Sequence, residues 1–104
     1  KLYYYYSSSG AVTIDTYYLD DGYAGKSPSS CNGSTTVGFQ VLGNTFYNVA
    51  TNNQRHAIAT HELGHGQSVG HISNLVVAVM GNNPDGNVYY PQQADNALIN
   101  QVYP

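Results

Sequence analysis

Charge is the scarcest property of this chain. Its 104 residues hold three Lys or Arg and six Asp or Glu, a formal net charge of −3. No basic patch exists to neutralise phosphates, so nucleic acid is not an expected partner. No apolar run is long enough to span a bilayer. A single cysteine, Cys31, excludes an internal disulfide. It lies in Ser29-Ser30-Cys31-Asn32-Gly33-Ser34, which reads as a loop, with an ordinary loop thiol. Asn32-Gly33-Ser34 also fits the N-glycosylation pattern, meaningful only in a secreted eukaryotic chain. The start lacks the apolar core of a signal peptide, since Leu2 is followed by four tyrosines, and the chain reads as a mature, processed one.

Eleven Tyr, eleven Gly and many Asn, Ser and Thr give the composition an extracellular character. One domain is expected over residues 1–104, with 1–10 as a low-complexity Tyr/Ser lead. A core this small gains from a bound metal, because binding to the native state adds to stability.

Ala11 to Leu19 is rich in β-branched and aromatic residues and reads as a strand. Asp20-Asp21-Gly22 signals a turn. Gly22 to Lys26 reads as a short strand stopped by Ser27-Pro28. Thr35 to Leu42 alternates as a strand does. Thr51 or Asn52 caps a helix that runs from Asn53 to about Gly66. Residues 75–80 form an apolar run, and 82–87 a loop. A last helix runs from about Gln92 to Val102, with Ala94, Leu98 and Val102 in one stripe.

The only glutamate of the chain stands in His61-Glu62-Leu63-Gly64-His65-Gly66-Gln67-Ser68-Val69-Gly70-His71, a stretch that also holds three of the four histidines. On a helix, residues i and i+4 lie on one face, about 6 Å apart along the axis. Two imidazoles at that spacing reach one zinc ion, and the carboxylate after the first sits beside it. Chance places His before the single Glu and His three residues after it about once in a thousand such chains. A continuous helix would carry His71 about 9 Å along the axis from His65 and turned away. The helix must therefore stop after His65, and Gly66 and Gly70 weaken it there. His56, five residues before His61, points elsewhere and reads as a surface histidine.

These residues resemble a known family. His61-Glu62-x-x-His65-x-x-Ser68-x-x-His71 looks like the metzincin metalloprotease motif, His-Glu-x-x-His-x-x-Gly-x-x-His, with Ser68 in place of Gly. Val77-Ala78-Val79-Met80 is similar to the Met-turn of that family, and 91–104 is similar to the C-terminal helix of its matrixin branch. The resemblance is firm over about residues 50–104, and by its measure the N-terminal part is shortened. It implies an α+β fold: a small twisted mixed β-sheet packed on an active-site helix, a Met-turn and a C-terminal helix. It implies zinc held by His61, His65 and His71, Met80 packed beneath it, and Glu62 as general base in peptide-bond hydrolysis. It makes Gly22, Tyr23, Ala24 and Gly25 an edge strand that pairs with an extended polypeptide substrate. By the same resemblance the loop 82–87 lines a substrate side-chain pocket, with Val88, Tyr89 and Tyr90 either adding to its wall or only anchoring the loop. Calcium is common in matrixins, but Asp15, Asp20, Asp21 and Asp85 are too scattered to place it.

The reading is therefore a secreted zinc endopeptidase. The alternative is a catalytically weak or inactive metzincin-like module that binds zinc or protein in a structural role. The shortened length, Ser68 and the composition favour that alternative, whereas the single glutamate at Glu62 favours the enzyme. Because two glycines flank Ser68, the turn that leaves the helix is expected to fall on Gly66 or Gly70, sparing Ser68 a left-handed backbone.

Overall fold

A computed structural model describes residues 10–47, 51–73, 76–81 and 87–103. Its backbone centres on the long strand Thr35–Asn44, the fourth in chain order and labelled β4. Strand β1, Val12–Tyr17, runs parallel to β4, from the pair Val12↔Phe39 to Tyr17↔Asn44. Two short strands pair antiparallel with β4. Strand β2, Gly25–Lys26, faces Gly43 and Leu42, and strand β3, Ser29–Asn32, faces the first half of β4. With helix α1, Asn52–Gly66, and helix α2, Gln93–Val102, the described residues form a small mixed α+β domain with a four-stranded mixed sheet.

Strand β3 corrects the loop reading of Ser29–Ser34. Ser, Cys and Asn have little strand propensity, but a turn at Gly33-Ser34 folds this stretch back onto β4. Gly33 has φ 63°, a conformation that a first turn residue without Cβ adopts freely, and Asn32 pairs with Thr35 across the turn. The β2 strand is shorter than the sequence reading. Gly22 has φ 81°, and the Tyr23 N–H donates to the Asp21 carboxylate, so both belong to the preceding turn.

Helix α1 starts where its cap chemistry places it. The Thr51 hydroxyl accepts from the Gln54 N–H at 3.1 Å, and the Gln54 side chain accepts from the Thr51 N–H, a reciprocal capping box. The buried face of α1 meets β4. Phe39, Val41, Ala57 and Ile58 are buried there. Gly66 lies so close to the Phe39 ring that any side chain at 66 would overlap it. A second apolar cluster, Val69, Val79 and Met80, lies under Ile72, Val88, Leu98 and Ile99. The inward face of α2 therefore differs from the expected stripe: Leu98 faces in with Ile99, Asp95 is buried, and Val102 is 40% exposed. No helix among the described residues is long and apolar enough to cross a membrane.

Candidate metal centre

The end of α1 determines where the histidines go. Gln67 caps the helix, and Ser68 follows with φ 66°. The Ser68 N–H donates to the His65 carbonyl at 2.9 Å, and the Val69 N–H donates to the Gly64 carbonyl at 3.0 Å. This pair of bonds is the Schellman motif, which requires a left-handed residue just past the cap. The expected shift of the turn onto Gly66 or Gly70 does not occur. Gly66 is inside the helix against Phe39, and Gly70 takes no positive φ. Packing of Gly66 and burial of Val69 fix where the helix ends, so the left-handed position falls on Ser68.

Beyond this turn the chain doubles back and brings His71 to His61 and His65. The three Nε2 atoms stand 3.0, 3.1 and 3.2 Å apart. On the other side of each helical imidazole a backbone carbonyl fixes the ring. His61 Nδ1 lies 2.9 Å from the Val79 oxygen, and His65 Nδ1 lies 2.9 Å from the Val69 oxygen. A carbonyl only accepts, so each Nδ1 carries the proton and donates it, leaving each Nε2 lone pair directed at the common centre. Burial holds the His61 pKa below its ordinary value, with the Val79 carbonyl opposing, which favours the neutral ligand form.

This donor set fits a metal ion. Tetrahedral zinc with Zn–N bonds of about 2.0–2.1 Å needs nitrogens about 3.3 Å apart. Among the described residues, His61, His65 and His71 are the group of three positioned to hold such an ion. Calcium has no comparable acidic group among them. The Asp21 carboxylate is engaged by Lys26 at 2.6 Å, by the Tyr17 hydroxyl and by Asn44, and Asp85 lies outside the described residues.

Met80 and Asp95 form the support. Met80 is 2% exposed and presses its sulfur against Gly64, between the two helical histidines. The buried Asp95 carboxylate accepts from the Val79 N–H at 2.9 Å, the Met80 N–H at 3.0 Å and the Gln92 N–H at 2.8 Å. The same turn gives its Val79 carbonyl to His61, and its Met80 carbonyl accepts from the Ile72 N–H, next to His71. The sequence reading did not single out Asp95. Its signal was the acid three residues past the α2 cap, the position from which a carboxylate reaches the cap N–H.

The histidines open onto a cleft of about 700 Å³. One wall is α1 with Ile58, His61, Glu62 and His65, and the other runs from Tyr23 to Pro28. Tyr23, Ala24 and Gly25 line this cleft, whereas the Gly22 N–H is bonded to the Tyr47 hydroxyl in the turn behind. The Gly25 backbone rests on Ile58 and on the Glu62 side-chain stem. Glu62 is buried and raised above the usual carboxylate pKa by that burial, with His65 pulling it down. Tyr89 lies behind α1, with its ring 5.4 Å from that of the exposed His56 and its carbonyl near the Thr60 hydroxyl. Val88 packs into the apolar cluster.

Comparison with protein-family models, with curated proteins and with solved structures yields no match for this chain.

Proposed function

We propose that this protein is a zinc-dependent endopeptidase of metzincin, matrixin-like type. One observation carries the reading: three imidazole Nε2 atoms converge within 3.2 Å of one another in a cleft that Glu62 also lines and a sheet edge borders. His61, His65 and His71 would hold the ion, and three protein ligands leave a further position open. When bound, the ion supplies Lewis acidity toward water and toward a carbonyl oxygen.

The chain's own residues divide the remaining work. The buried Glu62 accepts a proton from the attacking water and returns it to the leaving amine. Strand β2, which pairs only with β4 among the described residues, offers its outer edge to an extended peptide, while Gly25 brings that edge down onto the helix. Met80 and Asp95 hold the histidines from behind and touch no substrate. The secreted setting of the family suits the charge-poor, Tyr- and Gly-rich composition.

The test combines metal analysis with peptide hydrolysis. The protein as isolated, or loaded with zinc, should bind about one equivalent and cleave a mixed peptide library, and a chelator should stop both. Glu62→Ala should keep the zinc and lose turnover by about 100-fold or more. Zinc bound without hydrolysis would leave a structural metal module in place of an enzyme.

A further inference from the structure

The cleft wall formed by β2 poses a problem of support. The strand is two residues long, paired to β4 only at Gly25↔Gly43 and Lys26↔Leu42. The segment before it, from Leu19 to Ala24, has no regular structure. Such a wall would bend under a ligand unless something else fixed it.

That support is Asn44, the last residue of β4 and 3% exposed. Its Nδ2 donates to the Leu19 carbonyl at 2.7 Å, the Tyr23 carbonyl at 2.8 Å and the Asp21 carboxylate at 3.1 Å. Its Oδ1 accepts from the Leu19 N–H at 3.2 Å and the Phe46 N–H at 3.0 Å. Its own N–H donates to the Ala24 carbonyl at 2.9 Å. The side-chain amide thus ties Leu19, Asp21 and Tyr23 to the turn after β4, while the backbone N–H, which aspartate or alanine here would keep, holds Ala24. An aspartate could not donate to the carbonyls and would face the Asp21 carboxylate, and an alanine would leave the Leu19 carbonyl with the Asp21 N–H alone and the Tyr23 carbonyl with the Tyr17 hydroxyl alone, at 3.4 Å. None of these bonds touches Val69, Val79 or Asp95, which hold the histidines.

We infer that Asn44 is the positioning residue for substrate recognition: it sets the β2 wall against which a peptide lies, independently of the metal centre. This rests on the peptidase reading of the cleft. Removing Asn44 should loosen the wall, so that ordering it is charged against peptide binding, while the ion and its ligands are unaffected.

The experiment uses the zinc-loaded protein and two probes. Acetohydroxamate engages the ion alone, and a peptidyl hydroxamate engages the ion and the wall. Asn44→Asp and Asn44→Ala should weaken the peptidyl probe by about 10-fold or more, with acetohydroxamate and zinc affinity within about twofold of wild type. In the wild-type protein, amide exchange should show 19–25 protected together with β4, a measurement that needs no variant to fold. Equal loss of both probes, no loss of either, no gain from the peptidyl extension in wild type, or free exchange over 19–25 would each overturn the inference. Hydrolysis is not required, so a protein that binds the peptidyl probe but cleaves nothing refutes the peptidase reading and leaves the role of Asn44 standing.

Discussion

Met80 and Gly64 meet at a distance that leaves no room for a methyl group on residue 64, where an added Cβ would overlap the Met80 thioether. The contact joins the helix turn between two histidines to the turn that supports them. It makes Gly64→Ala a test of how tightly the two are packed. Alanine gains about 1 kcal/mol over glycine in a helix interior, whereas overpacking a buried contact costs about 1–3 kcal/mol. The net outcome expected is destabilisation. Urea unfolding of Gly64→Ala, Met80→Ala and the double variant checks it, since the double variant should lose less than the sum of the singles.

Asp95→Asn tests the other support of the same turn. The carboxylate accepts three backbone N–H bonds, and an amide side chain would set a donor against one of them. Charged hydrogen bonds of this kind carry about 1.5–3 kcal/mol, so a loss of about 2–4 kcal/mol is expected. Because Val79 also orients His61, zinc affinity should fall by about 10-fold. Unchanged affinity in a folded Asp95→Asn protein would separate this turn from the metal centre.

Ser68 carries the left-handed backbone, and that fixes the sign of two further substitutions. A left-handed non-glycine residue costs about 1–2 kcal/mol, and glycine returns part of it as unfolded-state entropy. Ser68→Gly should therefore stabilise by about 0.5–1 kcal/mol. Gly70→Ala meets nothing within 4 Å, so its effect should stay within about 0.5 kcal/mol. Thermal unfolding of both variants decides between this pattern and its reverse.

Metal removal should be legible in stability. A ligand at 100 times its dissociation constant adds about 2.7 kcal/mol to a native state that alone binds it. In a domain of this size that corresponds to a rise in Tm of about 10 °C or more. Melting with chelator, with zinc and with zinc added to His71→Ala measures it. The histidine variant should lose most of the rise.

The site was more legible in the sequence than its surroundings. Helical spacing alone places His61 and His65 on one face, and the need to break the helix brings His71 back, as the convergent nitrogens show. Helix α1 and most of the long strand followed from capping and alternation, and the α+β character from the resemblance of the motif. What escaped was set by tertiary contact. Strand β3 has no propensity of its own and exists because Gly33 folds it onto β4. The turn fell on Ser68 and not on a glycine, because Phe39 holds Gly66 inside the helix. Asp95 looked like one more polar residue of a terminal helix until the backbone amides of Val79 and Met80 arrived beside it.

The two carbonyls that orient His61 and His65 come from Val79 and Val69, and both side chains sit in the same buried cluster as Met80. The cluster and the three converging imidazoles are therefore one cooperative unit. Any opening that lets water reach Val69 or Val79 also frees an imidazole to rotate, so the ion would report on the integrity of the core. Metal release, followed with a chromophoric chelator, should track exposure of this cluster throughout a melt.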